Sequence, residues 1–139
     1  IQTMVYFKPP GSRGQSFHQD CLYLRTTPLL GAWVALDRAD TENGAMQMVP
    51  GSHLLGLLPC REANTDLSFT DSETVFPSDM EKVWILLEPG DAVFFSGYTV
   101  HGSGPNRSAD RMRRAFICHY AGERALPIVG PLLPGAEAR

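Results

Sequence analysis

The chain has 139 residues, of which 43% are hydrophobic and 19% are charged, and its formal net charge is −3. This size suits one globular domain with a single buried core and leaves no room for a second full domain. The weak negative charge argues against a nucleic acid partner, and apolar runs such as residues 83–87 fall far below the roughly 20 residues that span a membrane.

The three cysteines show no C-x-x-C spacing, which argues against a disulfide framework and against a four-thiolate zinc site. Reduced thiols fit a cytoplasmic location. The sequence therefore predicts a cytoplasmic protein whose partner is a small molecule, with neither nucleic acid nor membrane involved.

Short apolar runs separated by proline and glycine predict strands throughout, because apolar residues do not recur at helical spacing over three turns. In chain order we predict eight strands, over residues 3–7, 16–24, 31–37, 45–49, 82–87, 92–96, 100–104 and 113–120. Such a series predicts an all-β jelly roll or a small barrel-like sandwich, with two antiparallel sheets. Phe94, Phe95 and Trp84 lie in continuous apolar runs and are predicted to pack in its core.

Two segments fall outside these strands. Residues 54–80 form a connection well above the usual loop limit of about 12 to 15 residues, so we predict a lid, a binding element or a disordered insert there. Residues 123–139 are rich in Pro, Gly and Ala and are predicted to form a loosely structured tail after a core of residues 1–122.

The first candidate site residues, His18 and Asp20, lie two positions apart in the second predicted strand. The pleat of a strand would point both side chains to the same face. Taken alone, such a pair is more often a surface contact than a metal site, so a third residue is needed.

His101 is that third residue, because it follows an apolar strand and a turn that could return the chain beside His18. Two histidines and one carboxylate leave three coordination positions open, which is the ligand set of non-haem Fe(II) oxygenases. Zinc more often fills its shell or keeps one water. The sequence thus predicts an Fe(II) site with room for a cosubstrate and O₂.

A basic cluster, Arg111, Arg113 and Arg114, opens the last predicted strand. A buried guanidinium needs an anion, which a dicarboxylate cosubstrate would provide. Strand alternation places Arg113 and Arg114 on opposite faces and leaves open which of them points inward. A solvated basic end of a hairpin is the alternative.

Several ordered motifs carry a family resemblance. They are residues 17–20 (FHQD), 31–37 (GAWVALD), 42–46 (ENGAM), 49–53 (VPGSH), 89–95 (PGDAVFF), 101–106 (HGSGPN) and 113–121 (RRAFICHYA). Over residues 3–122 the chain resembles the phytanoyl-CoA dioxygenase family of Fe(II)/2-oxoglutarate oxygenases. The resemblance implies a cupin-like double-stranded β-helix in which His18, Asp20 and His101 hold iron and 2-oxoglutarate chelates the iron.

The resemblance also implies cosubstrate contacts. Arg113, with Ser103 beside it, would meet the far carboxylate of 2-oxoglutarate, and Met4 and Trp33 match further contact positions. The segment before Arg113 is one residue longer than the commonest family spacing, which keeps Arg111 as a substitute. Lys8 is predicted either to pair with a carboxylate of the cosubstrate or substrate or to be a solvated loop residue.

The implied reaction hydroxylates an unactivated C–H bond and converts 2-oxoglutarate to succinate and CO₂. Because Asp20 retains the carboxylate that related halogenases replace, hydroxylation is favoured over halogenation. The substrate would be a small metabolite or an acyl-CoA, and the acidic residues of the 54–80 segment favour the metabolite. The alternatives are a non-catalytic module that binds metal and 2-oxoglutarate, and a metal-dependent hydrolase or isomerase on a cupin-like barrel.

The last predicted strand raises two further expectations. His119 is predicted to pack in the interior or to support a metal ligand. Phe116, Cys118 and Tyr120 would form an outer apolar face, since the helical segment that covers this sheet in similar enzymes is not evident here. We therefore expect either self-association or a core that lacks an N-terminal segment.

Overall fold

The computed structural model describes residues 2–128. The elements in chain order are β1 (Gln2–Lys8), β2 (Gln15–His18), α1 (Asp20–Leu24), β3 (Thr26–Ala35), β4 (Met46–Met48), a 3₁₀ helix (Ser52–Leu55), β5 (Cys60–Glu62), β6 (Ser72–Thr74), β7 (Val83–Ile85), β8 (Ala92–Ser96), β9 (His101–Ser103) and β10 (Arg113–Pro127). None of the helices in this range has the length and apolar character needed to span a bilayer. All three cysteines are free.

Two four-stranded antiparallel sheets carry the fold. One has the order β1-β10-β3-β8 and the other β2-β9-β4-β7, so the chain passes between the sheets as it advances, which is the jelly-roll arrangement. One buried apolar cluster joins them, with Trp33, Phe95 and Ile117 from the first sheet and Met46 and Met48 from the second. The predicted all-β, cupin-like double-stranded β-helix with eight core strands is confirmed.

The predicted strand over residues 16–24 is wrong in its second half. β2 ends at His18, and Asp20 begins the short helix α1. The side chain of Gln19 causes the turn, because its amide donates to the carbonyls of Gly56 and Tyr98 and its oxygen accepts from the backbone N–H of Leu58. Gln19 is fully buried, so these bonds fix the chain where the strand would otherwise continue.

Two other boundaries differ from the sequence prediction. β10 extends to Pro127 because Leu126 and Pro127 pair with Thr27 and Thr26 of a β3 that begins earlier than predicted. Residues 123–127 of the predicted tail therefore belong to the sheet, and residues 129–139 lie outside the described part. The 54–80 segment is an ordered insert, in which β5 and β6 pair as a two-stranded antiparallel sheet.

Alternation along β10 gives it one buried and one outer side. Arg113, Ala115, Ile117 and His119 are buried, whereas Phe116 and Tyr120 are exposed, as predicted. Cys118 was predicted on the outer face but is buried, where it pairs with Thr3 of β1 and Ala32 of β3.

Other apolar side chains continue the outer face that Phe116 and Tyr120 begin. Val5 pairs with Phe116, and Leu30 pairs with Tyr120. Phe94 is also exposed, as is Trp84 on the other sheet, so both were wrongly predicted as core, whereas Phe95 is buried. Successive side chains of a strand point to opposite faces, so a continuous apolar run places some of its residues on the outer face. That a second copy or another segment covers the outer face stays a prediction.

Candidate metal centre

Three buried side chains meet between the two sheets at the end of β2. His18, Asp20 and His101 each offer one ligand atom, and these atoms all lie within 4.8 Å of one another. Oδ1 of Asp20 is 3.5 Å from Nε2 of His18 and 3.6 Å from Nε2 of His101. Two ligands that bind one ion at about 2.1 Å lie about 3.0 to 3.4 Å apart, so a small inward movement would let all three bind a divalent cation.

Backbone hydrogen bonds orient both histidine rings. Nδ1 of His18 lies 2.8 Å from the carbonyl oxygen of Ser16, and Nδ1 of His101 lies 3.0 Å from that of Thr99. Donation from each Nδ1–H leaves the Nε2 lone pair directed at Asp20, which is the tautomer that a metal ligand requires.

His119 holds the other oxygen of the carboxylate. Its Nε2 lies 3.0 Å from Oδ2 of Asp20. Because Asp20 is ionised, Nε2–H of His119 donates, and Oδ1 remains free to face the two other imidazoles. The prediction that His119 packs inside or supports a ligand is thus confirmed by a direct contact.

The protonation states of these groups suit cation binding. Burial alone would raise the pKa of Asp20, but His101, His119 and His18 together hold it well below the ordinary value. Burial, with repulsion from His18, lowers the pKa of His101 to about 4, although Asp20 opposes the shift. At neutral pH the site therefore presents one carboxylate and a neutral imidazole from His101.

Gly102 allows the two histidine strands to approach closely, since His18 and His101 face each other across β2 and β9. A Cβ at Gly102 would lie 2.8 Å from the carbonyl oxygen of Gln15 and 3.1 Å from the backbone nitrogen of Phe17. We expect Gly102→Ala to push β9 away from β2 and to weaken Ni²⁺ binding at least about tenfold, measured by calorimetry. Gly122→Ala, where nothing lies within 4 Å, is the control; equal affinity in both variants would contradict this role.

A cationic pocket adjoins His101. It is lined by Lys8, Trp33, Ser103 and Arg113, among others. Lys8 and Arg113 are both buried, at 5% and 3% exposure. Nε of Arg113 has no hydrogen-bond partner among residues 2–128, and its guanidinium lies 5.4 Å from the Trp33 ring centroid. Nζ of Lys8 donates to Oγ of Ser103 at 2.9 Å and to the carbonyl of Gly104 at 2.6 Å.

Two buried cations without a carboxylate partner create a demand for an anion. Burial, with the charge of Arg113, lowers the pKa of Lys8 to about 7. Burial also lowers the pKa of Arg113 to about 10, partly offset by Tyr6. A bound anion would reverse both shifts, so the pocket is electrostatically complementary to a carboxylate.

The pocket is nearly closed as it stands. Its free volume is about 40 Å³, close to that of one water molecule. A five-carbon dicarboxylate must therefore displace side chains, and Lys8 and Gln15 are held there by hydrogen bonds that a ligand could replace.

Of the remaining predicted residues, some lie at the cationic pocket and others do not. Arg113 points inward, whereas Arg114 pairs with Asp37 on the outside. Arg111 is bound to Asp40 and Glu42, so it is not a substitute for Arg113. Met4 lines the neighbouring cavity beside Asp20 instead of the cationic pocket, because β1 points its side chain to that end of the site.

Sequence reasoning missed Gln15 and Phe69. Nε2 of Gln15 lies 3.2 Å from Nε2 of His18, the atom that would bind a metal. Phe69 reaches the site from the 54–80 insert and lines both cavities. Neither residue belongs to a motif, and the place of the insert in the fold could not be derived from composition.

Comparison with known proteins gives a consistent result. A family model described as phytanoyl-CoA dioxygenase (PhyH) matches residues 1–115. A "Probable phytanoyl-CoA dioxygenase" of Caenorhabditis elegans is 31% identical over 134 residues, which cover 88% of this chain and 42% of the relative. "Phytanoyl-CoA dioxygenase, peroxisomal" of Bos taurus is 32% identical over 132 residues, covering 87% of this chain and 39% of the relative. The chain thus spans about two fifths of these relatives' length.

Solved structures share the fold at similar identity. EvdO2 from Micromonospora carbonacea var. aurantiaca, complexed with 2-oxoglutarate, superposes with a TM-score of 0.72 at 28% identity, covering 93% of this chain and 55% of that one. The epimerase SnoN, in complex with Fe³⁺, α-ketoglutarate and nogalamycin RO, gives a TM-score of 0.71 at 29% identity, covering 99% of this chain and 57% of that one.

Proposed function

Because the chain belongs to the phytanoyl-CoA dioxygenase family, we propose that it is an Fe(II)/2-oxoglutarate-dependent dioxygenase that hydroxylates a C–H bond of a small organic substrate. One observation carries the proposal: the histidine and carboxylate triad lies beside a buried pocket with two unneutralised cations. The compartment stays a prediction.

The triad fits Fe(II) by the chemistry of its donors. His18, Asp20 and His101 supply two imidazole nitrogens and one carboxylate oxygen, a mixed set that leaves half of an octahedral shell free. His119 prevents Asp20 from turning and leaves one oxygen for the metal.

The cationic pocket fits the cosubstrate. The far carboxylate of 2-oxoglutarate would meet Arg113 and Lys8, while the hydroxyl of Ser103, which now accepts from Lys8, would be free to donate to it. Trp33 flanks the guanidinium and limits its movement. When bound, iron and 2-oxoglutarate together activate O₂: one oxygen atom enters the succinate formed with CO₂, and the other enters the hydroxylated product.

The hydrolase or isomerase alternative lacks a second carboxylate that could act as general base. Asp20 is the one carboxylate among the described residues that line the two cavities at the triad, and it is the proposed metal ligand. A carboxylate base for a metal-bound water would have to be a different residue from that ligand.

The test is anaerobic addition of Fe(II) and 2-oxoglutarate, followed by O₂. We expect a visible charge-transfer band on addition of the two, and succinate release once O₂ enters. A band without succinate would indicate the non-catalytic module, and neither signal would contradict the proposal. Since SnoN is named as an epimerase, incorporation of ¹⁸O from ¹⁸O₂ into a product distinguishes hydroxylation from epimerisation.

Lys8 should make cosubstrate binding depend on pH. An anion binds the protonated amine, so affinity for 2-oxoglutarate should fall as pH rises through the free pKa of about 7. With one coupled proton the loss is about tenfold between pH 6 and pH 8. Calorimetry at saturating Fe(II), without O₂, would measure it.

The Lys8→Met variant is the matched comparison. It should bind 2-oxoglutarate more weakly at pH 6 and lose this pH dependence.

The pKa of Lys8 is lower in the folded than in the unfolded protein. Lys8 therefore also makes the free energy of unfolding of the ligand-free protein rise as pH rises above 7. An equally steep fall in affinity in wild type and Lys8→Met would assign the dependence to another group.

A further inference from the structure

A second and larger cavity adjoins the triad. It has a volume of about 280 Å³ and is lined by Asp20, whereas the cationic pocket is lined by His101. Tyr6, Gln15 and Phe69 line both, so the two cavities are neighbours. Each cavity reaches a different residue of the triad.

The two cavities differ in charge. The cationic pocket holds Lys8 and Arg113, whereas no lysine or arginine among residues 2–128 lines the larger cavity. Its wall is mostly apolar or aromatic, with Met4, Leu24 and Ile117 beside the tyrosines. Its charged group is Asp20. In the metal-free protein, a carboxylate or phosphate placed there would meet no lysine or arginine of residues 2–128 and would face that aspartate.

Phe69 is the part of this wall that the 54–80 insert supplies, with Thr70. Its ring centroid lies 6.3 Å from that of Tyr6. The insert is attached to the start of β2, since the backbone N–H of Phe69 donates to the carbonyl of Gly14 and that of Ser16 to Oγ of Ser68. The ring of Phe69 is about half exposed, so its size can change without opening the core.

We infer that the larger cavity receives a neutral, largely apolar group of the substrate and that Phe69 limits the size of this group. The inference rests on the proposed function, because it assigns the second cavity to the molecule that is oxidised. An acyl-CoA would have to keep its phosphates outside this cavity, because no lysine or arginine of residues 2–128 lines it.

Methionine methyl groups allow the two cavities to be observed separately. Met4 lines the larger cavity and Met46 lines the cationic pocket. In the full chain with ¹³C-methyl methionine and no metal added, cyclohexanol should shift the Met4 resonance saturably and leave Met46 unchanged; Zn²⁺ is added only for the titration with 2-oxoglutarate. Cyclohexanecarboxylate should bind at Met4 at least about tenfold more weakly, because its charge would be buried without a partner.

The outcomes distinguish the two proposals. Equal binding of the carboxylate at Met4, or no shift of Met4 by cyclohexanol, would overturn the inference. Binding of 2-oxoglutarate is measured by the shift of the Met46 resonance. If 2-oxoglutarate did not shift Met46, that result would count against the proposed function and not against this inference.

Variants of the insert test Phe69. Phe69→Ala should strengthen binding of 1-adamantanol, a bulkier neutral probe, by about tenfold relative to cyclohexanol, with Phe69→Leu intermediate. Leu67→Ala removes another exposed apolar side chain of the same insert that lines neither cavity, and it should leave both affinities unchanged. An identical ratio in Phe69→Ala and wild type would overturn the role of Phe69.

Discussion

Replacing Asp20 with alanine is expected to lower the affinity for Fe(II) or Ni²⁺ by at least about 100-fold, because losing a direct ligand costs more than losing a residue that supports one. Oδ1 of Asp20 is the atom nearest to both imidazoles, and its charge is the one that offsets a divalent cation in the triad. Calorimetric titration with Ni²⁺, supported by anaerobic titration with Fe(II), would measure the loss.

The matched control is Asp37→Ala. Asp37 binds Arg114 at the surface, away from the triad, so its loss should leave metal affinity unchanged. Circular dichroism should show a folded protein for both variants. A folded Asp20→Ala variant with wild-type affinity would contradict the assignment of the metal centre.

Arg113→Met is expected to change stability and binding in opposite directions. In the ligand-free protein it removes a buried guanidinium that lacks a carboxylate partner, so the free energy of unfolding should rise by about 1 kcal/mol or more. The same change should abolish 2-oxoglutarate binding, because the cation that faces the far carboxylate is gone.

Thermal unfolding with and without 2-oxoglutarate, at saturating Ni²⁺, tests both parts. 2-Oxoglutarate should raise the melting temperature of the wild type. Without 2-oxoglutarate, Arg113→Met should melt about 4 °C higher than the wild type, and adding the ligand should not raise its melting temperature further. Arg114→Met, from the neighbouring position with an outward side chain, should keep the response to the ligand. A response retained in Arg113→Met would show that Arg113 does not anchor the cosubstrate.

The sequence was sufficient to predict the eight core strands and the three residues that meet as the triad, but not β5, β6 or α1. Turn residues divide the apolar runs, and the ordered motifs identify the triad and Arg113 at once. The local path was predicted wrongly at Asp20, because the side chain of Gln19 turns the chain by hydrogen bonds to three distant residues, Gly56, Leu58 and Tyr98. Contacts between residues 37, 39 and 79 positions apart leave no local pattern in a sequence.

The cavities were the least predictable part. Arg113 and Lys8 could be proposed from residue type, but their burial beside one another depends on the register of β1 with β10, which places Lys8 opposite Arg113. Phe69 enters the site through backbone bonds of the insert to Gly14, and those bonds carry no side-chain signature.

A single β-strand, β10, sets the spacing of three side chains around the candidate site. Arg113, Ile117 and His119 project inward from alternate positions of it, and the six steps from first to last span about 20 Å. If β10 shifted by one residue against β3, the side chains of Arg113, Ile117 and His119 would all turn to the solvent side. Insertions within residues 113–119 should therefore be far more harmful than insertions of equal length in the exposed turn at residues 78–79.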